Sequence, residues 1–234
     1  MTTQAPTTIT RRVLISFLVI SLVFSFFPLL VAWRFDWWQG WVYGIVILVN
    51  SILSRLLLAR RQPDLLAERA KAMNHPNAKA WDRVLAPLAA SLGPLLTLIL
   101  CGLDRRYSLS PEFPSWLQWG ALLLIILGCV LGSWALLENR FFSGVVRIQT
   151  ERGHTVVDSG PYRIVRHPGY TGALVVYLAT PVLLNSLWGA VPALLTIALF
   201  VLRTALEDKT LQAELPGYAE YARRTRYRLL PGIW

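Results

Sequence analysis

Uncharged stretches long enough to cross a lipid bilayer, broken by short charged clusters, set the pattern of this chain. Val13–Trp33, Val84–Leu103 and Trp116–Leu137 contain no Asp, Glu, Lys or Arg. Each reaches the roughly 20 residues that cover about 30 Å of hydrocarbon at ~1.5 Å per residue. Trp37–Ser54 is slightly shorter, and Leu56–Leu58 extend it past Arg55. Gly169–Leu202 is too long for one span. As a straight helix it would run roughly 50 Å, more than the whole bilayer with its headgroups. The polar pair Asn185-Ser186 lies near its middle, just after Pro181, and predicts a tight helical hairpin with two arms of ~24 Å each. Part of each arm must then extend into the charged flanks or line a cavity. The expected fold is all-α: a polytopic transmembrane bundle of about six spans, with a short C-terminal hairpin. Residues 1–137 supply four spans, and 138–234 form a second region of polar loop, hairpin and C-terminal helix.

Composition agrees with this. The chain is 55% hydrophobic and 15% charged, against roughly 45–50% and about 25% in an average soluble domain. The net charge of +10 would suit a nucleic-acid partner, but its distribution follows the spans instead. Arg11 and Arg12 precede the first span, and Arg55, Arg60, Arg61, Arg69, Lys71, Lys79 and Arg83 lie between the second and third. Arg140, Arg147, Arg152, Arg163 and Arg166 follow the fourth, and Arg223, Arg224, Arg226 and Arg228 lie near the end. The alternate connections carry Arg34 with Asp36, and Arg105 and Arg106 with Asp104 and Glu112. By the positive-inside rule both termini are cytoplasmic, and the basic excess meets anionic headgroups. No nucleic-acid-binding motif is present. The first apolar run exceeds the core of a secretory leader and lacks a small-residue cleavage site, so the first span is expected to stay. Cys101 and Cys129 lie in apolar runs without metal-ligand spacing and are expected to pack. Gly128 and Gly132 form a GxxxG suited to close helix contact.

Candidate chemistry is confined to polar stretches around the hairpin. The connector Ala59–Arg83, with Leu65, Leu66, Met73 and Trp81 as its apolar set, is expected along the cytoplasmic interface. From Glu138 to His167 the chain is too polar to span. Gly160-Pro161 marks a turn, and Pro168 suits the first position of a helix. His167 then falls near the N-cap, with the N–H groups of Gly169 and Tyr170 beyond it, a helix start able to bind an anion. Arg203 and Glu207 are four apart on one helix face, within reach of each other. A guanidinium, a carboxylate, an imidazole and helix-end N–H groups can together hold a zwitterionic cofactor at the membrane face. A capped helix entry and a surface salt bridge would account for the same residues without chemistry. There is no GxGxxG after a strand, so a Rossmann domain is excluded, and no HExxH, paired CxxC or GxSxG.

At these residues the chain resembles the isoprenylcysteine carboxyl methyltransferase superfamily, which includes phospholipid N-methyltransferases. The matching residues are Gln149, His154-Thr155-Val156-Val157, Gly160-Pro161-Tyr162, Arg166-His167-Pro168-Gly169-Tyr170, Arg203 with Glu207-Asp208, Gly217-Tyr218-Ala219-Glu220-Tyr221, and Arg228 with Pro231. Where the family commonly has a second Glu, this chain has Asp208. Leu215-Pro216-Gly217 replaces the family's Phe-Gly approach to the tyrosine pair, one residue shorter. The resemblance implies S-adenosyl-L-methionine bound at Gln149, His154, Thr155, Val156, Val157, Tyr162, His167, Pro168, Gly169, Tyr170 and Glu207. It places Arg203 against the acceptor, and Arg203 and Glu207 are the expected catalytic pair.

The expected activity is methyl transfer to a lipophilic acceptor, with carboxyl O-methylation favoured by the resemblance. A phospholipid amine and a small thiol are the other acceptors. A nicotinamide-dependent reductase of the sterol-reductase kind, or a non-catalytic lipid-binding protein, are readings of other classes. The expected partners are the lipid bilayer and a lipophilic or lipidated acceptor, without nucleic acid or metal. The expected location is a multi-pass membrane protein with its termini and site on the cytoplasmic side.

Overall fold

The computed structural model describes the backbone of residues 11–71 and 76–234, and side chains from residue 18 onward except 71–75. The side chains of Arg11, Arg12, Lys71 and Met73, invoked above, lie outside the described residues. Six apolar helices occupy the predicted places. They are α1 (Arg11–Ala32), α2 (Trp38–Arg61), a continuous helix made of α4 (Asp82–Pro87), a π turn (Leu88–Leu92) and α5 (Gly93–Tyr107), then α6 (Ser115–Glu138), α7 (Pro168–Leu183) and α8 (Leu187–Glu214). A short α3 (Pro63–Lys71) follows α2, and α9 (Tyr218–Arg224) follows α8. Among the described residues there is no strand. By length and composition four of these helices can cross a membrane: α2, the composite Asp82–Tyr107, α6 and α8. α7 is apolar but shorter. Exposed rows such as Leu123, Leu124, Leu127 and Val130 on α6, and Leu194 and Leu195 on α8, cover the outside with hydrocarbon. Apolar surface of that extent is what lipid, not water, solvates.

Three boundaries differ from the sequence reading. The third span starts earlier and ends later than Val84–Leu103. Its π turn precedes Pro94, which has no N–H for the carbonyl four residues back, so the wider turn takes up the missing bond. The hairpin arms are unequal: α7 has 16 residues, whereas α8 has 28 and runs through Arg203 and Glu207 to Glu214. The connector after α2 does not simply lie on an interface, because Leu65 is fully buried and Asp82 is 0% exposed.

The hairpin turn is as tight as predicted, and the structure shows why. Asn185 takes a left-handed backbone (φ 56°), a conformation that asparagine tolerates. Its Oδ1 accepts from the Phe113 N–H and from Gln118 Nε2, and its Nδ2 donates to Pro111 O. The Ser186 hydroxyl accepts the Gly189 N–H at 2.8 Å, capping α8, and donates to Asp104 at 2.6 Å. Asp104 also accepts from the Ser110 N–H and hydroxyl. One end of the bundle is therefore closed by a buried, fully bonded polar cluster. Below it, Leu29, Trp37, Tyr43, Leu98, Ile125 and Leu183 form the apolar core that joins α1, α2, α5, α6 and α7.

α6 and α7 cross at glycines. A Cβ on Gly128 would lie 2.7 Å from the Gly172 carbonyl, and one on Gly172 would lie 2.5 Å from the Gly128 carbonyl and 2.8 Å from Gly132 N. Gly132 differs from its GxxxG partner. Its backbone abuts Gly172, but its own Cβ would meet nothing within 4 Å. Gly172→Ala is therefore expected to destabilise the protein by about 1–3 kcal/mol through overpacking against backbone. Gly132→Ala should change stability by no more than about 0.5 kcal/mol. Thermal unfolding of both variants in detergent checks the crossing.

Candidate active site

The opposite end of the bundle carries the polar loop, the start of α7, the charged end of α8 and the tail. Gly160 (φ 53°) opens a 3-10 turn, Gly160–Arg163, which delivers Arg166 and His167 to the first turn of α7. The backbone N–H groups of Arg166 and His167 donate to the carbonyls of Tyr227 and Arg228, both at 2.9 Å, so the tail pairs with the helix entry. Asp208 of α8, 0% exposed, sits behind this junction. It receives Arg166 Nε at 2.7 Å and Nη2 at 2.9 Å, Arg228 Nε at 2.9 Å, Gln212 Nε2 at 2.8 Å and the Tyr218 hydroxyl at 3.1 Å. His167 Nε2 lies 3.4 Å away. Burial works against the Arg166 charge, yet pairing with Asp208 raises its pKa on balance.

In front of this junction opens a pocket with about 780 Å³ of empty space, counting its mouth. Its wall brings together Gln149, His154, Thr155, Val156, Val157, Tyr162, His167, Gly169, Tyr170 and Glu207. Pro168 and Arg203 are not part of that wall. Glu207 accepts a hydrogen bond from the Tyr170 hydroxyl, and the His167 and Tyr170 rings stack nearly parallel (3°). Tyr218 and Tyr221 of α9 close the far side, with the Tyr221 hydroxyl donating to Tyr162 O at 2.7 Å. Tyr162 in turn donates to Ala135 O at 3.2 Å. Gly217 (φ 82°) turns α8 into α9 in spite of the shortened Leu215-Pro216-Gly217 approach.

Two expectations about bonding are corrected. Arg203 does not pair with Glu207. Its Nε and Nη2 bind Asp82 at 2.7 and 3.0 Å, and Nη2 also reaches Gly144 O at 3.0 Å. A fully buried carboxylate on α4 outcompetes a helix-face neighbour because it offers a planar two-oxygen fork. The guanidinium lies over the Tyr170 ring, 5.2 Å from its centroid. The helix start is also less open than its sequence implied, because the Tyr170 N–H already donates to His167 O at 3.0 Å.

Sequence reasoning missed how the loop wall is held. Val146 N–H donates to Asp82 at 2.6 Å, and the Lys79 N–H donates to Val146 O at 3.0 Å. Gln149 Nε2 donates to Phe141 O at 2.7 Å, and its Oε1 accepts from Arg152. Arg147, whose side chain is 0% exposed, binds Glu68 through Nε and Nη2 and Glu151 through Nη2. Arg147 also lines the pocket, and its buried Nη1 has no partner in the protein. The sequence signal for these ties was faint: a lone acid in each of two connector positions, Glu68 and Asp82.

Residues 121–213 match the model of the isoprenylcysteine carboxyl methyltransferase (ICMT) family. That match covers 93 of the chain's 234 residues. The chain is 33% identical over 112 residues to protein-S-isoprenylcysteine O-methyltransferase B of Arabidopsis thaliana, covering 47% of this chain and 57% of that protein. It is 36% identical over 110 residues to the cobalt-zinc-cadmium resistance protein CzcN of Cupriavidus metallidurans, covering 46% and 49%. Similarity to the protein-S-isoprenylcysteine O-methyltransferase of Rattus norvegicus is 31% over 144 residues, covering 60% and 51%. The matches thus span about half the length of these relatives. The apolar helices, together with this likeness, support an integral membrane protein, and a likeness to methyltransferases implies a methyl donor. The wall suits one. A carboxylate, eight aromatic or imidazole rings and a buried guanidinium nitrogen without a partner supply sites for a cation, a ring system and a hydrogen-bond acceptor. Among the described residues no group of three His, Cys, Asp or Glu could hold a metal ion.

His154 gives this wall a pH signature. Burial, then Arg147 and Arg152, lower its pKa to about 4, and its Nδ1 accepts the Gln149 N–H at 3.3 Å. The native state therefore keeps it neutral, while the unfolded chain protonates it near pH ~6.5. Its contribution is fully present above pH ~6.5 and is lost as pH falls toward about 4. Wild type should lose on the order of 1–3 kcal/mol more than His154→Gln between pH 7.5 and 4.5. Chemical denaturation at the two pH values measures the difference.

Proposed function

We propose that this protein is an S-adenosyl-L-methionine-dependent methyltransferase acting on the carboxyl group of a lipophilic acceptor. The observation that carries the reading is Glu207, a carboxylate on the wall of an aromatic pocket, inside the segment that matches the ICMT family. Bound S-adenosyl-L-methionine supplies a methyl group already activated by its sulfonium.

Glu207 would hold the positive end of the cofactor. Gln149, His154–Val157, Tyr162, His167, Pro168, Gly169 and Tyr170 would frame the rest, Pro168 by fixing the start of α7. Tyr162, Tyr218 and Tyr221 exclude water, and the rigid α7 entry aligns donor with acceptor. A carboxylate acceptor is already ionised, so no wall residue needs to remove a proton from it. Arg203, paired with Asp82, contributes from behind Tyr170 by holding that ring and the Gly144 carbonyl. Carboxyl transfer is favoured over an amine or thiol acceptor because two of the three relatives described above, those of Arabidopsis thaliana and Rattus norvegicus, are named protein-S-isoprenylcysteine O-methyltransferases.

Calorimetry with purified protein should detect S-adenosyl-L-methionine binding. Glu207→Gln should weaken it about ten- to a hundredfold, the loss of one charge-assisted hydrogen bond. Unchanged affinity in a folded variant would place the cofactor elsewhere.

The site and both termini are proposed to face the cytoplasm, on the loop charges described above. Cysteines placed at exposed Leu109 and Leu187 should react with an impermeant thiol reagent added outside intact cells. A cysteine at exposed Arg224 should react only after lysis. The opposite pattern would invert the topology.

A further inference from the structure

The end of the bundle away from the pocket is ringed by indoles. The α1–α2 connection, the α5–α6 connection and the α7–α8 turn meet there at one level. Gln39 Nε2 donates to Gln118 Oε1 at 3.1 Å, and Gln118 Nε2 donates to Asn185 Oδ1 at 3.2 Å. Around that buried tie Trp33, Trp38, Trp41, Trp116, Trp119 and Trp188 face outward, between 37% and 74% exposed. Among the described residues one further tryptophan, Trp134, is exposed to that degree. Of the six, only Trp41 has an acceptor for its indole N–H among the described residues, Phe35 O at 2.9 Å. An indole joins a large apolar ring to one N–H that needs an acceptor. It therefore settles where acyl chains meet headgroups, not in water or in hydrocarbon alone. The charges here also pair off: Arg34 with Asp36 at 3.1 Å, and Arg105 with Glu112 at 3.2 Å. The basic excess lies at the pocket end instead.

We propose that this indole collar binds the headgroup–acyl boundary of a zwitterionic leaflet and sets the depth at which the whole bundle sits. The rings are stiff and partly braced against one another. Trp38 stacks on Trp119 with centroids 5.0 Å apart and planes at 26°, and Trp33 lies 5.9 Å from Phe35. The pocket end has no matching ring of tryptophans. Its arginines carry their charge on long flexible stems, which follow the headgroups when the boundary shifts, so they hold depth less strictly. Depth is then measured from the collar. α7, with 16 residues, descends only ~24 Å from that level. A thicker bilayer therefore carries the pocket mouth further below the opposite headgroups.

The test uses the full chain in phosphatidylcholine vesicles of increasing acyl length. Spin labels are placed singly at Leu109→Cys, on the collar end, and at Ile164→Cys, beside the entry to α7. Both side chains are more than half exposed. Cys129 is replaced by alanine, and the buried Cys101 is left in place. Immersion depth is read by power-saturation EPR. With the collar intact, the Leu109 label should keep its depth to within ~1.5 Å, the rise of one helical residue. The Ile164 label should sink by nearly the whole increase in thickness. In Trp33→Leu/Trp116→Leu/Trp188→Leu the two labels should share the increase about equally. Equal sinking of both labels with the collar intact overturns the proposal, and so does a folded variant that behaves as its parent. Should the variant fail to fold, wild-type tryptophan fluorescence decides. Lipids brominated near the headgroup end of their chains should quench it more than lipids brominated at the chain ends, and the reverse order overturns the proposal. Weak quenching by both lipids, with cross-linked dimers, would give the collar to a second copy of the chain and overturn it as well.

Discussion

A single buried carboxylate, Asp208, decides whether the site exists. Three pieces of chain meet on it: the entry to α7, some forty residues upstream, through Arg166 and His167, the end of its own helix α8 through Gln212, and the tail through Tyr218 and Arg228. A charge with no solvent exposure costs several kcal/mol unless it is paired and hydrogen-bonded. Here both oxygens are saturated, so the same interaction that makes the group tolerable also fixes the geometry. With the tail pinned, Tyr218 and Tyr221 are delivered to the pocket. Asp208 itself does not line that pocket and acts by positioning. Substitution of the family's usual Glu by Asp shortens the arm by one methylene, and Arg166 still reaches both oxygens at 2.7 and 2.9 Å.

A second buried carboxylate ties the two regions of the chain together. Asp82, at the start of the third span, holds Arg203 and the Val146 N–H at once, and Glu68 holds Arg147. The wall segment from Phe141 to Arg147 is thus suspended between α3, α4 and α8. A loop facing both membrane and cofactor must satisfy its backbone groups internally. The Phe142 and Gly144 carbonyls are satisfied by arginine side chains from outside the loop, and the Val146 N–H by Asp82. The N-terminal spans therefore do more than anchor the protein: their connector braces the loop that lines the pocket.

The spans were legible in the sequence because lipid imposes a one-dimensional rule, namely that uncharged length equals helix. The hairpin turn was legible from Asn185-Ser186 for the same reason, since polar residues inside an apolar run need a turn and partners. Gln149, His154–Val157, Tyr162, His167, Gly169, Tyr170 and Glu207 could be named in advance through the family resemblance, and all ten line the pocket. What the chain does not spell out is pairing across long separations. Arg203 has an acid four residues away on its own helix, and periodicity points to Glu207, yet the partner is Asp82, 121 residues distant. The roles of Glu68, Arg69 and Arg147 were hidden likewise, because connector charges read as a solvated face until the fold buries them. Helix length was misjudged where charge begins: α8 continues for three further turns past Leu202 because Arg203, Glu207 and Asp208 all find partners.

The short α7 links this architecture to a lipid-borne acceptor. Its 16 residues rise roughly 24 Å, against about 30 Å of hydrocarbon. One end is fixed by the Asn185–Ser186 turn, which is buried against Asp104 and Gln118. With that turn at one face of the hydrocarbon, the His167–Tyr170 end stops short of the other. The long α8 alongside it passes the remaining depth and carries Glu207 and Asp208 with it. Charged groups at that level are tolerable only where protein encloses them, and the tail, α3 and the loop provide the enclosure. On the proposed methyl-transfer reading, a reacting group attached to an apolar tail would meet the pocket at the depth where its own polar end resides, without leaving the bilayer. The unequal hairpin would then be what lets a polar pocket open at the level of a substrate dissolved in lipid.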